Sequence, residues 1–137
     1  LPISMLEKLT KECQDIQSFL EVTMSDTSAE VVARGCDLSV YMARTGQMLA
    51  DAKKLCSGKK KEDILEAIAY ISEAKLSAKV QNALVDSMRQ DEQYLVDWIT
   101  RLNATCTHQL DWCRTLISKN KEELRLTVTM GKEFNKH

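Results

Sequence analysis

The stretch EQYLVDWITRLNATCTHQLDWCRTL, residues 92–116, places Leu95, Ile99, Leu102, Cys106, Cys113 and Leu116 on one repeating three-and-four spacing. That spacing is the period of an amphipathic helix, with one apolar stripe facing a partner. Upstream the same phase holds without a slip through Ile64, Ala67, Ile71, Ala74, Ala78, Gln81, Val85 and Met88. Only Gln81, Glu92 and Gln109 are polar at these positions, and neither glycine nor proline occurs from Lys59 to Met130.

Two structures satisfy this pattern. One is a helical hairpin joined to a single coiled-coil-like helix from about 61 to 130, ~100 Å long at 1.5 Å per residue. The other turns in the polar run Arg89-Gln90-Asp91-Glu92-Gln93, with Asp91 as N-cap, and gives helices near 61–89 and 92–130. Compactness favours the turn. Gly131 should then end the last helix, leaving 132–137 frayed.

The N-terminal half completes the count. Ser4-x-x-Glu7 is a capping-box pattern, and Leu6, Leu9, Cys13, Ile16 and Leu20 follow at helical spacing. This predicts a helix near 4–23. Ser25-Asp26-Thr27-Ser28 interrupts it, since these side chains compete for backbone hydrogen bonds, and Thr27-x-x-Glu30 offers a second capping box. The next helix is expected near 28–56 on the stripe Val31, Gly35, Leu38, Met42, Thr45, Leu49, Ala52 and Cys56, with Gly58 as its stop. The fold expected is all-α, an up-down four-helix bundle in a single domain over residues 1–137.

Helix two carries a second stripe of small residues, Cys36, Ser39, Ala43, Gly46 and Ala50, ~110° round its axis. Apolar cover on two sides predicts an inner or interface helix, with close backbone approach at Gly46.

Composition narrows the function classes. The chain of 137 residues has a net charge of −1, from 19 Lys+Arg against 20 Asp+Glu, so it exerts no bulk attraction on nucleic acid or anionic lipid. With 4 glycines and 1 proline, collagen-like and loop-rich chains are excluded, and a sandwich needing a turn every 8–12 residues is not expected. No charge-free run is long enough for a membrane span. Cys13, Cys36, Cys56, Cys106 and Cys113 are odd in number and form no C-x-x-C pair. They are expected as reduced thiols packed as small hydrophobes, in a cytoplasmic or intra-particle setting and not a secreted one.

Catalytic and metal signatures are missing from the sequence. Cys106 and Cys113 share a stripe while His108 points ~160° away from Cys106, so the three cannot converge on one ion from this helix alone. His108 and His137 lack the Glu-x-x-His spacing of carboxylate di-iron bundles. Phosphate loops and nucleophile elbows are also missing. No catalytic, cofactor or metal residue is therefore assigned. Glu92, at a core-phase position, is the one carboxylate of note.

Association is better supported. Tyr94, Trp98 and Trp112 lie on one edge of the last helix, the two tryptophans ~21 Å apart, and such side chains are enriched at interfaces. Gly46, Ala43 and Ala50 are the matching candidates on helix two. Gln81 and Gln109 resemble the polar residues that fix register in coiled coils. Lys53, Lys54, Lys59, Lys60 and Lys61 form a basic cluster, read as a solvated helix–helix loop because Glu62 and Asp63 follow and no aromatic is interleaved. The sequence thus leads to a non-enzymatic helical interaction or assembly module with a protein partner or its own copies, one concrete version being a subunit of a particle such as a virion. The alternatives are a regulator touching nucleic acid, or a nucleic-acid enzyme, through the lysine end, and an enzyme or cofactor carrier.

Overall fold

The computed structural model describes residues 3–74 and 77–135, and the all-α class predicted from sequence is what it has. Helix α1 spans Met5–Leu20, α2 Ser28–Ala74, α3 Ala78–Met88 and α4 Gln90–Asn135. Ser4 caps α1 as its pattern requires, its hydroxyl accepting from the Glu7 N–H at 3.2 Å. At the start of α2 the carboxylate of Glu30 reaches back to the Ser25 N–H at 3.1 Å, two residues earlier than a Thr27 capping box would place it. Asn120 of α4 ties down the same linker by donating to the Asp26 carbonyl and the Ser28 hydroxyl, both at 3.2 Å.

The middle of the chain departs from the expected boundaries. Gly58 does not stop α2, which runs on for 47 residues to Ala74. A glycine inside a helix costs only ~1 kcal/mol relative to alanine, and the apolar phase continues on both sides of it. The helix expected at 61–89 is therefore divided between the end of α2 and α3. Ser77 caps α3 by accepting from the Val80 N–H at 3.4 Å. The expected helix is thus divided where α2 ends, at Ala74, and α3 begins, at Ala78.

At the expected turn a single residue, Arg89, separates α3 from α4. Its N–H donates to the Asp86 carbonyl at 3.3 Å, a tightened step, and its own carbonyl accepts from Gln93 at 3.0 Å. Helical bonding thus crosses Arg89, which makes it a kink. Asp91 is consequently no N-cap but lies in the first turn of α4, where its charge suits the helix dipole. Nor is there a single helix from 61 to 130. Gly131 also fails to end its helix, which continues to Asn135.

The result is one long antiparallel hairpin, α2 against α3 and α4, with α1 laid alongside. Cys56 meets Gln93, Thr45 meets Asn103, Arg34 meets Gln109 and Ser28 meets Asn120, so numbers rise on one arm as they fall on the other. Arg44 pairs with Glu12, while Trp98 bonds to Gln17, so α1 is antiparallel to α2 and parallel to α4. A three-helix core fills this part of the molecule with Leu9, Cys13, Ile16, Val31, Leu38, Met48, Leu95, Ile99 and Cys106. The α4 stripe is buried as read, apart from Glu92 and Gln109, which are half-buried. At Ile64, Ala67, Ile71, Ala74, Val85 and Met88 the stripe lies outside the described side chains.

One face of α2 is buried, not two. Val31, Leu38, Thr45, Ala52 and Cys56 are covered, whereas Cys36, Ser39, Ala43, Gly46 and Ala50 are all exposed. A Cβ built on Gly46 meets nothing within 4 Å, so the expected close approach is not there. At Gly35 a Cβ would stand 3.8 Å from Leu110 Cδ1, an ordinary van der Waals contact. Gly46→Ala should accordingly raise stability by about 0.5–1 kcal/mol in urea unfolding. Gly58→Pro should cost ~3 kcal/mol or more, because it interrupts a continuous helix; a proline tolerated there would place residue 58 in a loop.

Candidate interaction surface

The residues that position this surface meet at one junction of three helices. Arg34 of α2 is buried, and its guanidinium donates to the Leu20 carbonyl at 3.4 Å and to Gln109 Oε1 at 2.9 Å. The same cation stands 4.1 Å from the centre of the Phe19 ring. Gln109 completes the triangle by donating Nε2 to the Leu20 carbonyl at 2.9 Å. Leu20 ends α1, where unpaired carbonyls carry partial negative charge. A helix terminus and an aromatic face thus take the place of a carboxylate. Gln109, expected from the sequence to fix register, is half-buried at this junction; Arg34 is the partner that sequence reasoning missed.

Two further contacts set the helix positions. Asn103 donates to the Met42 carbonyl at 3.1 Å and to the buried Thr45 hydroxyl at 2.9 Å. Arg44 grips Glu12 through Nε and Nη2 of its guanidinium, and that hydrogen bonding holds the Glu12 carboxyl below its ordinary range. Burial pushes the Cys13 thiol up to about 11. Burial also raises Cys106 and Cys113. All five cysteines are free thiols, and Cys36 is the exposed one.

The aromatic edge divides. Trp98 is half-buried against the core and donates Nε1–H to Gln17 Oε1 at 2.7 Å. Tyr94 is 68% exposed, its ring centre 5.9 Å from that of Trp98. Trp112 is 57% exposed. Tyr94 and Trp98 line a groove of about 480 Å³ between α1 and α4, with Gln17, Asp97 and Arg101. Ala43, Gly46 and Ala50 are open to solvent on α2, on a separate helix from these aromatics.

The lysine cluster lies within α2 and not in a loop. Lys53 and Lys54 are exposed, and Lys59 sits 3.8 Å from buried Asp63; the side chains of Lys60 and Lys61 lie outside those described. Gln81 is half-buried near the start of α3. Glu92 is half-buried beside a second cavity, of about 510 Å³, with Met5, Asp51, Lys54, Leu55, Gly58 and Lys59. His108 is exposed, and His137 lies outside the described residues. Among the described residues no three His, Cys, Asp or Glu side chains gather as a metal site would require, and no helix is long and apolar enough to cross a membrane.

Beyond the three-helix core both ends expose apolar side chains. Past Leu116, α4 shows Leu124 at 66% and Met130 at 68% exposed, with Ile117, Leu126 and Val128 also open. At the hairpin tip, Leu65 is 71% exposed, and Ile68, Tyr70 and Val80 are open as well. The chain matches no family model, no curated protein and no solved structure.

Gln109→Leu should cost about 2 kcal/mol or more in denaturant unfolding, since it strips a charge-assisted hydrogen bond from a buried cation. Acid should act through Glu12. Its carboxyl is depressed in the folded state, so its stabilisation is present above 4.5 and is lost as pH falls below that value. Arg44→Met should flatten that acid limb. Cys13 acts with the opposite sign: its raised thiol contributes fully below 9.0 and loses that contribution as pH rises towards about 11. Thermal melts across both ranges, on the wild type and the Arg44 and Cys13→Ala variants, check both signs.

Proposed function

We propose that this chain is a non-enzymatic assembly or protein–protein interaction module, its uncovered helix ends completed by copies of itself or by a larger particle such as a virion. The exposed apolar surface of the α4 extension carries this reading. Ile117, Leu124, Leu126, Val128 and Met130 project from a helix segment with no covering element among the described residues. A helical segment of this length is marginal in water on its own, because most helix stability in proteins comes from packing an apolar face. Ile117, Leu124 and Val128 recur at helical spacing along one side of it, and exposed apolar stripes of this kind mark interaction sites. Trp112, on the same helix and likewise open, adds a large anchor of the type that dominates interface energies.

Light scattering joined to hydrogen exchange tests the reading. The expected result is a mass above 15.5 kDa, or rapid amide exchange over 117–130 in a lone chain that slows on assembly. Trp112→Ala should lower association by about 2 kcal/mol while leaving the unfolding midpoint nearly unchanged. Trp98→Ala should lower the midpoint, because its ring packs on the core and its N–H bonds to Gln17. A chain that stays at 15.5 kDa with strongly protected amides over 117–130 needs no partner, and the reading then fails.

A further inference from the structure

We infer that residues 124–130 leave the helix when two copies of this chain meet, and pair antiparallel as β-strands about Thr127. The inference rests on the assembly reading and names its partner and its mode. Leu124-Arg125-Leu126-Thr127-Val128-Thr129-Met130 alternates apolar and polar side chains without a break. That period of two belongs to a half-buried strand. Wound as a helix, the segment points Leu126 ~160° and Met130 ~120° away from Leu124. A partner helix on the side of Ile117, Leu124 and Val128 would leave Leu126 and Met130 in water. Extended, Leu124, Leu126, Val128 and Met130 share one face.

Local chemistry points the same way. Thr127, Val128 and Thr129 are three β-branched residues in a row, which lose side-chain freedom in a helix and favour strands. The hydroxyls of Thr127 and Thr129 donate to the carbonyls of Glu123 and Arg125, both at 2.9 Å, a local bond that weakens a helix slightly. Packing overrides such preferences in a core, but every side chain from 121 to 133 is exposed.

Charge decides the occupant. Among the described residues there is no strand, so the segment has no sheet edge to join within its own copy. Antiparallel pairing with Thr127 opposite its counterpart sets Leu124 against the second copy's Met130, and Leu126 against its Val128. The same register sets Lys121 against the second copy's Glu133, and Glu122 against its Lys132. Residues directly opposite in such a ribbon point to the same face, so each pair meets. Glu122 now bonds Arg125 at 2.6 Å, three residues on; extended, those two face opposite sides, and Lys132 of the second copy takes that place. A parallel copy in register would set each charge against itself. An antiparallel shift of two residues in either direction loses both pairs. Apolar burial supplies the attraction, and the charges select direction and register. A lone two-stranded ribbon is marginal in water, so two ribbons close apolar face on apolar face.

Light scattering on the full chain should give two or four copies of the 15.5 kDa chain. Thr127→Ala with Thr129→Ala keeps every apolar side chain and favours the helix, so it should weaken association at least tenfold without lowering the unfolding midpoint. In a Cys36→Ser background, which removes the exposed thiol, Thr127→Cys should link two copies under mild oxidation. Opposite Cα atoms in such a pair stand about 4.5–5.5 Å apart, within reach of a disulfide. Glu122→Lys should weaken association several-fold, and adding Lys132→Glu should restore it, although the contact with Arg125 stays lost. A chain that is monomeric at every concentration overturns the inference. So does a multimer that Thr127→Ala with Thr129→Ala leaves unchanged or tightens, because its copies then meet as helices; the assembly reading survives that result. Failure of that reading is recognised separately, by a monomer whose 117–130 amides are already protected.

Discussion

A guanidinium buried without a carboxylate is the constraint on which the arrangement of helices depends. Removing a charge from water is expensive unless its donors are satisfied. Arg34 meets that cost in part: Nη2 donates to the last carbonyl of α1 and to the amide oxygen of Gln109, and the cation lies over Phe19, while its buried Nε has no hydrogen-bond partner. These acceptors belong to different helices, so the charge can be buried only if all three stand in their places. Hydrophobic contact along the α2–α4 stripe is tolerant of sliding by a heptad. The Arg34 junction is not, because a slip of one heptad would leave the cation without its partners. The half-buried Gln109 serves that junction twice, accepting from Arg34 and donating to the Leu20 carbonyl.

The rest of the structure divides according to its distance from that junction. Near it, three helices share a core and most large apolar side chains are covered. Away from it, the two arms of the hairpin outrun α1 in both directions. The polar contacts follow the same division: inter-helix bonds such as Trp98–Gln17 and Asn103–Thr45 lie beside the core. Along the α4 extension the side-chain bonds are local, for instance Arg125 with Glu122 and Thr127 with the Glu123 carbonyl. Local bonds hold a helix as a helix; they do not hold it against anything.

Helical class and core stripe were legible because period alone determines which side chains share a face, and Leu95 to Leu116 kept one phase. The capping of α1 by Ser4 was legible for the same reason, since cap geometry is local. Helix ends were not. Gly58 and Gly131 look like stops, yet a glycine ends a helix only where the chain also has somewhere better to go, and continued packing decided against it at Gly58. The turn at 89–93 was misplaced because polar residues permit a turn without requiring one. Arg34 escaped notice because its position, one residue off the α2 stripe, is where an arginine ordinarily reaches water. Its burial depends on Phe19 and Leu20, which are distant in sequence. For the interaction candidates, the sequence could identify Trp98 and Trp112 as one edge, but only packing against Gln17 distinguishes the half-buried ring from the open one.

The unbroken arms also govern how the molecule moves through a fluid. A compact chain of this length would have a radius of gyration of about 14 Å. Helical rise over residues 78–135 makes one arm ~85 Å long, and a thin rod of that length has a radius of gyration of about 25 Å. Friction and sieving report that extent and not the mass. A single copy would thus tumble slowly and elute from a porous matrix ahead of globular proteins of equal weight, with the drag of a considerably heavier particle.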